Sequence, residues 1–342
     1  MFFYFYLVEI KILFPILFFT FSLDNIILFY IFFEVSLIPI FYILLNYGYG
    51  SERLIATYYI IRYTIFGRVP FLFYILELFY KKIYFFSFSI FLNNSFIIFF
   101  YSIIFLIKIP VFLIHSWLLK AHVESPTKGR ILLARLLLKI GSYGLVRVFS
   151  ICIYYWNILF ILGIFGSFLS AIFTLLCSDI KTIIAISRVV HISLSILACL
   201  SFKPESIVSL TLLSISHGFT SGSLFYLFGV LYIKIKSRSC LLLKGFNNSL
   251  GLIWFIFCVI NSGTPPFIGF WGELTIYIIF FSIFYFPVII LCVIFFIGVY
   301  NIIIFSTIFH GKGVLYNIYK TDILFSIFFI YLRLILYVYF LL

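Results

Sequence analysis

The stretch Phe96-Ile-Ile-Phe-Phe-Tyr-Ser-Ile-Ile-Phe-Leu-Ile-Lys108-Ile-Pro110-Val-Phe112 sets a lysine deep inside an apolar run, with a proline two positions later. A second run, Ile131-Leu-Leu-Ala-Arg-Leu-Leu-Leu-Lys139-Ile-Gly-Ser-Tyr-Gly-Leu-Val146, holds Lys139 in the same way. Runs of this kind approach the ~20 apolar residues that a helix needs to cross a bilayer. An ammonium at the centre of a lipid-embedded helix costs about 2.5–3.5 kcal/mol on insertion scales. Such a residue persists when it faces a partner charge, a polar cavity or a proton path. Two carboxylates, Glu34 and Glu273, are placed in apolar runs of their own. These four charges are the lead to function.

The rest of the composition agrees with a chain made for lipid. Of 342 residues, 65% are hydrophobic and 10% charged, against about 25% charged in ordinary soluble domains. Apolar segments recur near 4–22, 26–46, 55–79, 96–113, 130–150, 154–176, 181–201, 206–233, 250–285, 288–309 and 323–341. In a bilayer every backbone N–H and C=O must be satisfied internally, so these read as helices. The expectation is an all-α polytopic membrane protein of about eleven spanning helices in a single membrane domain, 1–342.

Two segments look interrupted, at Pro110 and at Gly263-Thr-Pro265-Pro266. Proline removes a hydrogen-bond donor and clashes with the preceding turn. Paired broken helices in two halves of a transporter point to its ion path; two ordinary proline kinks are the alternative.

Composition also excludes several functions. The net charge of +13 forms no dense basic run, which speaks for loop charges beside a membrane and against nucleic acid. Six cysteines (152, 177, 199, 240, 258 and 292) show no C-x-x-C spacing, so no metal site is expected. No dinucleotide fingerprint or P-loop occurs, so no cofactor is expected in this chain. Lys120, Lys128, Lys181, Lys234, Lys236, Arg238, Lys244, Lys312 and Lys320 fall on one side by alternation, as loop charges.

The segment His115-Ser-Trp117-Leu-Leu-Lys120-Ala-His122-Val-Glu124-Ser-Pro126 resembles the H-x-W-L-P-x-A-H-x-x-A-P signature of the antiporter-like membrane subunits of respiratory NADH:ubiquinone oxidoreductase (complex I). Four further stretches fit that family in order. They are Leu136 to Gly144, Ser178-Asp179 through Lys181, Ala185, Ser187 and His191, then Ser216-His217-Gly218-Phe-Thr220-Ser221, and Asn261 to Pro266. The similarity covers about 24–313 and is strongest to mitochondrially encoded members. It implies an inverted-repeat antiporter-like bundle in the mitochondrial inner membrane. Partners would be the other membrane-arm subunits and a lipid bilayer that can include cardiolipin. NADH, FMN, iron–sulfur clusters and ubiquinone would sit on partner subunits, and protons would be the transported species. A stand-alone multisubunit cation/proton antiporter component shares the same features, and a non-pumping structural remnant is a further alternative.

Three departures stand out. The family has about fourteen helices, so some three N-terminal ones are expected to be missing. Leu119 stands where the family has proline. Arg68, Arg130 and Arg188 stand in apolar helices where the family typically has serine, Ile131 and Ile192 where it has methionine, and methionine occurs once. Translation through a code table that assigns AGA, AGG and ATA differently gives this pattern, which would also remove Arg62 and Arg135 from the intramembrane charges.

Burial favours a neutral lysine and a nearby carboxylate favours the charged one, so a Glu34–Lys108 pair can take up and release a proton. The resemblance implies that pairing, with Lys139 as central relay and Glu273 as exit carboxylate. His191 and His217 suit a relay between the last two. A structural ion pair and two helix-bridging histidines are the alternatives. His115, Trp117, Lys120, His122 and Glu124 read as a loop that packs or caps. Glu77 and Lys81 read as a surface i, i+4 pair. Glu9, Lys11 and Asp24 read as helix-end charges, and Asp179 with Lys181 as a helix start.

Overall fold

The computed structural model describes residues 2–48, 50–82, 95–149, 156–200, 204–235, 237–240, 249–283 and 288–310. It divides into two compact units, Met1–Leu162 and Gly163–Leu342. Five of the described helical segments are long and apolar enough to cross a membrane: Ile26–Tyr47, Arg53–Tyr80, Ile180–Ala198, Glu205–Ile233 and Val288–Phe309. The segment read at 323–341 lies outside the described residues.

The first unit opens with α1 (Phe2–Ser22), α2 (Ile26–Val35), α3 (Ile38–Tyr47) and α4 (Arg53–Tyr80). Asn25 starts α2, its side-chain oxygen accepting from the Ile27 N–H at 3.0 Å. The sequence reads one helix over 26–46, and the structure breaks it at Ser36–Leu37. Pro39 is the cause: it has no N–H to continue the ladder of α2, and it sits in the first turn of α3, where none is needed. The break falls two residues after Glu34.

Next come α5 (Ser95–Lys108), α6 (Ser116–Glu124), α7 (Thr127–Leu132) and α8 (Leu138–Phe149). The break expected at Pro110 is present, with a 3₁₀ turn at Phe112–Ile114 between α5 and α6. The Trp117 indole donates to the Ile107 carbonyl at 3.0 Å, satisfying one acceptor that the end of α5 leaves open. Trp117 therefore caps. The reading of 115–124 as a loop is corrected, because Ser116–Glu124 is helical and buries Trp117, Leu118, Ala121, His122 and Glu124. These positions share one helical face, and the polar residues among and beside them, Lys120, His122 and Glu124, hid it.

The segment read as one helix over 130–150 is also divided. A π-helical turn, Leu133–Leu137, separates α7 from α8 just before Lys139. Beyond it, α8 lies close against the end of α5. A Cβ at Gly141 would stand 3.2 Å from both Ile109 N and the Lys108 Cβ, so a larger residue there would have to push the end of α5 away by a few tenths of an ångström.

The second unit contains α10 (Ile180–Leu200), α11 (Pro204–Ile235), α12 (Ser249–Asn261), α13 (Ile268–Ile283) and α14 (Val288–Phe309); α9 (Trp156–Leu176) leads into it. Helix α10 is the most enclosed of the spanning candidates and buries polar side chains, among them Ser187, His191 and Ser193, along with its apolar ones. The break expected at Gly263-Thr-Pro-Pro separates α12 from α13. Side chains close the end of α12: Ser262 and Thr264 both donate to the Val259 carbonyl, at 2.8 and 3.0 Å. Gly272 lets α13 pack on α11, where a Cβ would meet the Leu213 N at 3.1 Å and the Ser209 O at 3.2 Å.

Candidate functional site

In the first unit the charges gather at the two helix breaks. Glu34 lies in the last turn of α2, where its carboxylate is bound by the guanidinium of Arg68 from α4. Lys108 ends α5 and is 4% exposed. Its ammonium donates to the Phe33 carbonyl at 2.9 Å and lies over the Phe33 ring. Both Glu34 and Arg68 act on it electrostatically. Lys108 thus touches the residue beside Glu34, while the Glu34 carboxylate is held by Arg68.

Lys139 follows the π-helical turn on α8 and is half-buried. Gly141, two residues on, seats α8 against Lys108 and Ile109. Asp24, read as a helix-end charge, bonds Arg147 at 2.7 Å near the start of α2. Glu77 and Lys81 form the surface i, i+4 pair at 2.7 Å.

The second unit holds a connected polar cluster inside an apolar bundle. His191 on α10 places Nδ1 3.3 Å from a Glu273 carboxylate oxygen on α13. Both residues are buried, at 5% and 4% exposure. The other carboxylate oxygen accepts from the Tyr277 hydroxyl at 3.3 Å. His217 on α11 is also buried, and its ring centroid lies 5.2 Å from that of His191. Gly263, with φ of +67°, faces the carboxylate where the helix breaks, and a Cβ there would overlap Glu273.

On its far side, His191 Nε2 meets the Tyr300 hydroxyl at 3.3 Å. Asn261 donates toward that hydroxyl at 3.4 Å and to the Asn301 side-chain oxygen at 3.1 Å. Thr220 donates to the Asn261 oxygen at 3.5 Å. Tyr300 and Asn301 were not singled out in the sequence, although a lone Asn inside the apolar run of α14 is a signal of the same kind as Lys108.

Three further buried cations bear on the sequence reading. Lys181, read as a loop charge, is 1% exposed, its ammonium 4.6 Å from the centre of the Tyr232 ring. The turn that carries Asp179 pairs with Ser239, and this draws the start of α10 inward. Arg188 is fully buried over the Phe225 ring, and Arg130 is buried with a bond to the Ser125 carbonyl at 2.7 Å. Among the described residues no group of three or more His, Cys, Asp and Glu is spaced to hold a metal ion.

Comparisons with known proteins bear on this arrangement. The sequence profile described as "NADH:quinone oxidoreductase/Mrp antiporter, TM" matches residues 24–300. A protein of Artemia franciscana named NADH-ubiquinone oxidoreductase chain 4 is 39% identical over 310 residues, covering 88% of this chain and 79% of that protein. The chain 4 protein of Rhipicephalus sanguineus is 37% identical over 265 residues, 76% of this chain and 61% of its own length. This chain therefore spans about three fifths of that relative. In fold it is similar to a chain of respiratory complex I from Thermus thermophilus with bound NADH, at a TM-score of 0.81 and 24% identity, covering 90% of this chain and 70% of that one. The chain belongs to the NADH:quinone oxidoreductase/Mrp antiporter transmembrane family.

Proposed function

We propose that the chain is a proton-translocating membrane-arm subunit of mitochondrial respiratory complex I, of the chain 4 type. It would couple electron transfer from NADH to ubiquinone to proton pumping in the inner membrane. The observation that carries this reading is the set of ionisable groups drawn to the helix breaks: half-buried Glu34 with buried Lys108 in the first unit, and buried Glu273 with its partner His191 in the second. A charge in such a place is tolerated only with a partner, and a partner that can move is a switch.

In the first unit, Lys108 keeps its proton while a carboxylate stands close, and gives it up when the carboxylate turns away. Lys139, on the helix seated against Lys108 by Gly141, is the central relay. In the second unit, His191 takes up a proton at one ring nitrogen and releases the one on Nδ1 to Glu273, the exit carboxylate, with His217 alongside. The chain makes and breaks no covalent bond in substrate. NADH, FMN, the iron–sulfur clusters and ubiquinone belong to partner subunits, which supply the redox energy.

A stand-alone cation/proton antiporter component is the second reading, and the family description spans both. Identity of 37–39% to proteins named as chain 4 favours complex I. Native separation of inner-membrane proteins tests it, since the chain should comigrate with NADH oxidation. In the assembled enzyme, Lys139→Met should lower the protons pumped per electron pair and leave assembly intact. Unchanged pumping in that variant removes Lys139 from the relay.

A further inference from the structure

Lys108 meets α2 at a carbonyl that the helix break has set free. In an unbroken helix the Phe33 oxygen would accept from the N–H four residues on, that of Leu37. The Leu37 N–H bonds to the Glu34 oxygen instead, at 3.1 Å. Two side chains take its place at Phe33: the Ser36 hydroxyl donates to that oxygen at 2.6 Å, and the Lys108 ammonium at 2.9 Å. The same ammonium lies 2.9 Å from the centre of the Phe33 ring. That ring is 1% exposed and lies against Phe29 and Phe105, whose centroids are 5.6 and 5.4 Å from its own. Phe105, one turn before Lys108 on α5, is itself seated on α8 at Gly144, where a Cβ would overlap its ring. The carbonyl and the ring of one residue thus form a single packed seat for the ammonium.

The two halves of this seat respond differently to charge. A carbonyl accepts from an ammonium and from a neutral amine, more strongly from the ammonium. The negative face of an aromatic ring attracts the cation, and most where water is excluded. We propose that Phe33 is a positioning residue for proton transfer at Lys108: its ring holds the ammonium in the charged form, and its carbonyl keeps the nitrogen in place once the proton has left. This rests on the relay reading of Lys108. Glu34 is the variable partner in that relay, and Phe33 the constant one. The constant partner keeps Lys108 from losing its proton to burial alone, so loading and release follow the carboxylate. The charged groups that act on the ammonium are Glu34 from α2 and Arg68 from α4; α6 meets the end of α5 through Trp117, and α8 through Gly141.

The test measures protons pumped per electron pair against pH in the assembled, membrane-reconstituted complex, for Phe33→Leu, Phe33→Tyr and Lys108→Met. Leucine removes the aromatic face and leaves the carbonyl, whereas tyrosine keeps both. Without the ring, Lys108 gives up its proton at lower pH. In Phe33→Leu the alkaline fall of pumping should therefore begin roughly one unit lower, and Phe33→Tyr should restore the wild-type profile. Lower pumping at every pH with the alkaline limb in place would mean that the ring only packs, and would overturn the inference. A Phe33→Tyr profile displaced as far as that of leucine would overturn it too. Should Phe33→Leu fail to assemble, Phe33→Met, which fills similar space without an aromatic face, is read in the same way. Normal pumping in Lys108→Met removes the relay reading and the inference with it. Lost pumping there, with an unmoved limb in Phe33→Leu, leaves the relay standing and Phe33 without its role.

Discussion

Replacing Gly263 with alanine strikes the second unit at the point where backbone shape and buried charge meet. Gly263 has φ of +67°, and an L-residue in that region costs roughly 1–2 kcal/mol. The added Cβ would also stand 2.8 Å from the Glu273 carboxyl carbon and 3.2 Å from one of its oxygens. Real Cβ atoms do not come so close to a carbon, so the carboxylate must move. Moving it stretches the contacts to His191 and Tyr277, both already 3.3 Å long, and hydrogen bonds to a charged group contribute about 1.5–3 kcal/mol each. Losing one of them on top of the backbone strain gives about 2.5–5 kcal/mol. Part of that would appear as earlier heat inactivation, and the rest as a loss of pumping of an order of magnitude or more. Gly298→Ala is the control. A Cβ there meets nothing within 4 Å, and alanine in a helix interior is favoured by roughly 0.5–1 kcal/mol. The assay is proton uptake per electron pair in reconstituted enzyme, with thermal inactivation followed in parallel. Wild-type pumping and heat stability in Gly263→Ala would refute the reasoning, because they would mean that the carboxylate does not depend on its present place.

Two other outcomes are expected. Burial and the neighbouring Asp179 carboxylate push the Cys240 thiol up to about 11; since only the thiolate is nucleophilic, alkylation near pH 8 should run about a hundredfold slower than at an ordinary thiol and recover above pH 10, and rapid labelling at pH 8 contradicts this. Peptide mass spectrometry of the native protein should find serine at positions 68, 130 and 188 and methionine at 131, because three arginines inside apolar helices carry a burial cost that serine does not; arginine in those peptides would establish the Arg68–Glu34 pair as native, whereas serine at 68 would release Glu34 toward Lys108.

What the sequence made legible followed from the strongest local rules. Pro110 and the Pro265–Pro266 pair cannot donate to a helix ladder, so both breaks could be read from composition alone. Lys108 and Glu273 announced themselves by their cost in an apolar run. The break after Glu34 had the same kind of signal in Pro39, but a proline in the first turn of a new helix looks from sequence like a tolerated kink. Helix α6 was hidden for the opposite reason. His115, Trp117, Lys120, His122 and Glu124 suggest a solvated loop, and only packing shows that Trp117 and His122 face inward. The π-helical turn before Lys139 leaves no trace in a run of leucines, since one extra residue per turn changes no apolar position into a polar one. Lys181 was placed by counting loops, and counting says nothing about which way a helix start is tethered.

The placement of the buried charges at the breaks has a physical reason beyond water access. Lys108 is the last residue of α5, where unsatisfied carbonyls give a helix end about half a negative charge. The Phe33 carbonyl adds a further acceptor at 2.9 Å. Were α5 to run on past Pro110, Lys108 would lie mid-helix with every nearby carbonyl of its own helix already bonded, and its burial would have no such offset. Glu273 is served differently. It lies beyond the first turn of α13, where the helix dipole has faded, and it rests instead on two side-chain donors and on the space that Gly263 leaves. One break thus stabilises a cation through backbone acceptors, and the other houses an anion by the absence of a side chain. Continuous helices could supply neither, so the breaks follow from the requirement to keep ionisable groups inside an apolar bundle.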